Sequence, residues 1–133
     1  MTLLQPSPLL RLTLKVDAIA GGAMGLLMAL AAQPLGELLG LPFVLLLVAG
    51  IVLLPLALVL YWMSNQTLLS RTGVWAVIAL NALWVVESIA LLVTGYVQPT
   101  ALGYAFVIGQ ALVVLLLAEL EFFGLRRSES LAL

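Results

Sequence analysis

The sequence contains no cysteine and no histidine. Their absence removes disulfides, thiolate nucleophiles, haem ligation by either residue and ordinary zinc sites, and with them most nucleophilic and cofactor-dependent chemistry. Charge is scarce too. Five basic and six acidic side chains are spread over 133 residues, 8% of the chain, where a soluble domain carries about 25%. Eleven charged groups cannot solvate a globule of this size. A net charge of −1 leaves no basic footprint for nucleic acid. No catalytic residue, cofactor, metal site or nucleic-acid partner is therefore expected.

What remains is apolar: 65% of residues are hydrophobic and the mean hydropathy is +1.28. Such a surface belongs in lipid. A span needs about 20 apolar residues, because each adds 1.5 Å toward a hydrocarbon core of about 30 Å. Four segments qualify, at about 12–32, 42–62, 73–96 and 103–124. Lipid offers no partner for free backbone groups, so these runs must be helices, and none alternates as a barrel strand would. Gln33-Pro34-Leu35-Gly36 with Gly40-Leu41-Pro42, the polar stretch from Ser64 to Gly73, and Gln98-Pro99-Thr100 mark the connections. Connections this short make consecutive helices antiparallel neighbours. The expected fold is all-α, a single transmembrane domain over 1–133, built as an up-down-up-down four-helix bundle.

All five basic residues fall on one side of that arrangement: Arg11, Lys15, Arg71, Arg126 and Arg127. The positive-inside rule places that side, and both termini, in the cytoplasm. Tyr61, Trp62, Trp75, Phe122 and Phe123 would anchor the inner interface, and Tyr96 and Tyr104 the outer one. Arg11 and Lys15, followed by an apolar stretch ending Ala29-Leu30-Ala31, mimic a secretory leader with a cleavage site. Asp17 and Gly21-Gly22 interrupt that stretch, and it is long enough to span, so an uncleaved first helix is expected. Gln33-Pro34 and Gln98-Pro99 end both outward-going helices 65 residues apart. That spacing fits either parallel half-repeats or chance matching among Leu and Val.

Glu87 is the most unusual residue, 14 positions into the third span. A charged carboxylate at that depth costs ~3 kcal/mol on insertion scales, so Glu87 either holds a proton or has a partner. Gln110 lies at nearly the same level on the fourth span, and a Glu87–Gln110 hydrogen bond is the first expectation. Asn81, Trp84 and Ser88 share a helix stripe with Glu87 at its edge. Together with Gln110 they form a polar cluster that either locks helices together or lines a site for a lipid or quinone-like ligand. Ala18-x-x-x-Gly22 and Gly21-x-x-x-Gly25 are small-residue pairs that let helices approach closely. Pro55 leaves the Ile51 carbonyl without its helical donor and should kink the second span. Asp17, Glu119 and Glu121 lie within one or two turns of the basic side, where interfacial ion pairs with Arg11, Lys15, Arg71 and Arg126 are expected. Glu37 falls in the outer connection.

The run Leu80-Asn81-Ala82-Leu83-Trp84-Val85-Val86-Glu87-Ser88, with Pro99-Thr100-Ala101-Leu102-Gly103-Tyr104-Ala105-Phe106, resembles a group of small, uncharacterised four-helix bacterial inner-membrane proteins. The resemblance covers most of the chain and implies origin and fold, without an activity or binding residues. Small multidrug transporters share the size and helix count but carry their essential Glu in the first helix. This chain has only Asp17 there, which argues against drug/proton exchange.

Two functions follow. The first is a non-enzymatic accessory or assembly subunit that contacts lipids and docks on other membrane subunits or on its own copies. Minimal loops and small-residue motifs motivate it. The second is a small transporter, or a lipid- or quinone-binding protein, centred on Glu87.

Overall fold

The computed structural model describes residues 2–132, so positions 1 and 133 of the single domain expected over 1–133 lie outside the described residues. Four of its helices are long and apolar enough to cross a membrane: α1 Pro8–Leu30, α3 Phe43–Ser64, α4 Arg71–Val93 and α5 Ala101–Arg126. A fifth, α2 Ala32–Leu39, fills the first connection, for which the sequence suggested no helix. Pro34 is compatible with it because the first turn of a helix leaves its N–H groups unpaired in any case. Gly40, at φ 70°, then ends α2 in the left-handed conformation that glycine adopts without a Cβ penalty. The two connections at this end thus differ in structure: Gln33-Pro34 lies inside α2, whereas Gln98-Pro99 lies in an irregular segment just before α5.

Local chemistry sets the helix ends. α1 begins at Pro8, earlier than hydropathy alone suggested, because Ser7 caps it: the Ser7 hydroxyl accepts from Leu10 N at 3.1 Å. Ser70 and Thr100 cap α4 and α5 in the same manner, accepting from Gly73 N and Gly103 N. α3 runs unbroken through Pro55.

Three short strands, absent from the sequence reading, gather at one end of the molecule. β1 (Thr2–Gln5) is central, antiparallel to β2 (Leu69–Ser70) on one side and β3 (Glu129–Ala132) on the other. The segment before α1, the α3–α4 connection and the segment after α5 are thereby tied together. Ser7 N donates to Ser128 Oγ, while the hydroxyls of Ser7 and Ser128 both donate to Gly124 O at 2.7 Å. Arg11 Nη1 donates to Ser64 O at 2.8 Å, placing a cation on the carbonyl end of α3. At the opposite end Thr100 N donates to Leu39 O and Thr100 Oγ1 to Leu38 O, fastening the α4–α5 connection to α2.

The helices pack as two pairs, α1 with α3 and α4 with α5, which meet along α1 and α5. Two apolar cores result. One, beside the strands, is built from Leu4, Leu10, Leu14, Leu69, Val74 and Leu125. The other surrounds Met28, Leu39, Leu41, Leu46 and Val107 at the α2 end. Between them the pairs separate on the α3–α4 side.

Candidate functional site

That separation is a cleft of about 560 Å³, walled by all four long helices. Its lining is mostly aliphatic and aromatic, with Asp17, Asn81, Trp84, Glu87 and Gln110 as the main polar groups. A second cavity of about 420 Å³ continues toward the α2 end and shares Trp84, Glu87 and Gln110. An apolar cavity with a few convergent polar groups is the usual form of a small-ligand site.

The five polar residues singled out from the sequence divide into three groups. Trp84, Ser88 and Gln110 close a hydrogen-bonded ring across the α4–α5 seam. Trp84 Nε1 donates to Gln110 Oε1 at 2.7 Å, Gln110 Nε2 donates to Ser88 Oγ at 2.9 Å, and Ser88 Oγ donates to Trp84 O at 2.8 Å. Gln110 Nε2 also donates to Val107 O, so both hydrogens of the amide are used. No hydrogen bond joins Glu87 to Gln110, contrary to the sequence expectation. The Trp84 indole N–H, one turn before Glu87 on α4, takes the Gln110 oxygen instead. Glu87 is exposed in the cleft wall, with no hydrogen bond or ion pair among the described residues.

Asn81 belongs to a third group that the sequence reading did not assemble. Its Nδ2 donates to Asp17 Oδ2 at 2.9 Å and to Glu121 Oε1 at 2.8 Å, so one amide bridges two carboxyl groups from α1 and α5. Asp17 is 7% exposed and Glu121 is 0% exposed. The expected interfacial ion pairs of these two acids do not form, because both side chains turn inward rather than toward the basic residues. Glu119, two residues from Glu121 and on another face of the helix, is exposed. One signal could have found the pair. Asp17 is in phase with buried Leu10, Leu14 and Ala18, and Glu121 with Leu117, Ala118 and Gly124, each on the inward stripe of its helix.

The small residues of α1 also divide. Ala18 is buried, Gly22 faces the Ala57 methyl, and Gly25 packs against Gly50 of α3. Gly21 meets nothing and opens onto the cleft. Near the strands Arg126 lies over the Phe122 ring at 5.8 Å, and Phe122 in turn packs edge-on against Trp75.

Comparison with protein-family models, with curated proteins and with solved structures finds no match to this chain.

Proposed function

We propose that this chain is a non-enzymatic, multi-pass protein of the bacterial inner membrane that binds an amphipathic ligand in its cleft. A lipid, a quinone-like molecule or a small transported solute fits the site. The observation that carries the reading is the placement of Glu87. The other polar side chains at this depth are spent on one another, whereas the Glu87 carboxyl faces an apolar cavity with nothing to satisfy it. A bound head group with a hydrogen-bond donor or positive charge would relieve that cost, and the apolar walls suit its tail.

An up-down-up-down bundle with cytoplasmic termini accompanies the proposal. It is supported by Arg11, Arg71 and Arg126 lying at the end that carries the strands, together with the positive-inside rule. The test is native mass spectrometry of the protein extracted from its own membranes. The wild type should retain a small molecule that Glu87→Gln, at an exposed position, releases without unfolding. Retention of the same molecule by both proteins would overturn the reading.

A second reading, the accessory or assembly subunit, keeps one specific support. Only 6% of the most apolar stretch of α4 is buried, against 33% in α1. α4 could dock on a further membrane subunit or on another copy of this chain. Purification in mild detergent as a lone monomer would dispose of that alternative.

A further inference from the structure

The bridged carboxyl groups of Asp17 and Glu121 carry an inference independent of the ligand reading. Asn81 Nδ2 has two hydrogens, and both are used, one on Asp17 Oδ2 and one on Glu121 Oε1. The second oxygen of Glu121, Oε2, is buried and has no hydrogen-bond partner. Buried oxygens of this kind are paired in the great majority of proteins, so a donor is missing here.

The side chains around the pair do not supply it. On α1, the Arg11 guanidinium is committed to Ser64 O, and Lys15, two residues from Asp17, is on another face of the helix. On α5, Arg126 lies on Phe122 and Glu119 is exposed. On α4, Arg71 is ten residues from Asn81, and Glu87 is six residues farther along in the cleft wall. Tyr61 of α3 is exposed. Among the described residues, neither carboxyl has a cation within ion-pair distance. Two carboxylates bridged by one amide in an apolar bundle repel each other without compensation.

We infer that Asp17 and Glu121 together bind one proton, clamped by Asn81 and exchanged with solvent through the cleft. The proton completes the hydrogen bonding: one carboxyl becomes a donor, the other accepts, and the charge on the pair falls from two to one. The route follows from burial. Toward the strands, Leu10, Leu14, Val74 and Leu125 are at most 1% exposed and seal that end. Asp17 and Asn81, in contrast, line the cleft. The protein thus holds an exchangeable proton inside the membrane, behind the cavity that Glu87 overlooks.

Infrared spectroscopy of the detergent-purified protein at neutral pH tests this. The wild type should show the carbonyl stretch of a protonated carboxyl, shifted on transfer to D2O. It should persist in Glu87→Gln and vanish in Glu121→Gln, whose amide supplies the missing donor without a proton and so keeps the fold. No such band in the wild type, or a band lost with Glu87→Gln, would overturn the proposal even if Glu121→Gln failed to fold. Gly21→Phe, which fills the cleft, should leave the band and slow its deuterium shift at least several-fold. An unchanged exchange rate would refute the route through the cleft.

Discussion

The two helix pairs solve one problem by different means. α1 and α3 close backbone to backbone: a Cβ added at Gly50 would stand 2.7 Å from Ala29 N and 2.8 Å from Gly25 O. α4 and α5 are joined by side chains, through the ring of Trp84, Gln110 and Ser88. In lipid, apolar side chains gain little by leaving the solvent, so association falls to close packing and to polar contacts. The first pair uses mainly the former and the second the latter. Close packing leaves no space. A seam built on side chains holds its helices farther apart, and the cleft opens where α4 stands away from α3. The site therefore belongs to the looser half of the molecule.

The contrast can be broken at its strongest point first. Gly50→Leu drives a side chain into the α1 backbone and should cost about 3 kcal/mol, read as lost resistance to denaturant in micelles. Asn81→Leu leaves two buried carboxyls without their bridge, and about 2 kcal/mol should be lost in the same assay. For Gln110→Leu the expected loss is nearer 1 kcal/mol, since polar contacts between membrane helices are individually modest. If Gln110→Leu proved as damaging as Gly50→Leu, the two seams would not differ in kind. Gly21→Ala should be the mildest, neutral or stabilising by up to about 0.5 kcal/mol. Its methyl meets nothing within 4 Å, and alanine favours the helix. A large loss there would show that Gly21 packs against something after all.

The four long helices were legible because each hydrophobic run reaches the length of a span; their ends differ from hydropathy by up to about four residues, most at the start of α1, where Ser7 caps it. α2 was obscured by Pro34, a residue that disfavours helix interiors but is tolerated in the first turn, where it sits here. The strands were invisible: Leu69–Ser70 is two residues long, too short for any alternation to register. For the polar groups, depth was readable and direction was not. Glu87 and Gln110 do lie at similar levels, yet the indole of Trp84 reaches the Gln110 oxygen. Asp17 and Glu121 are close to the basic residues along the chain, but that proximity carries no information on which way either side chain faces, and both face inward.

By itself the sequence determined the surroundings of this protein and its repertoire. Long uncharged runs require helices because lipid leaves backbone groups no outside partner, and the missing cysteine and histidine remove thiol and imidazole chemistry. Which of those groups meet was decided by tertiary structure alone. Rotation and register between helices fix each encounter, and a nearly uniform apolar sequence constrains both only through the packing of the whole bundle. Asp17, Asn81 and Glu121 come from three helices up to 104 positions apart, and nothing local to any one of them names the other two.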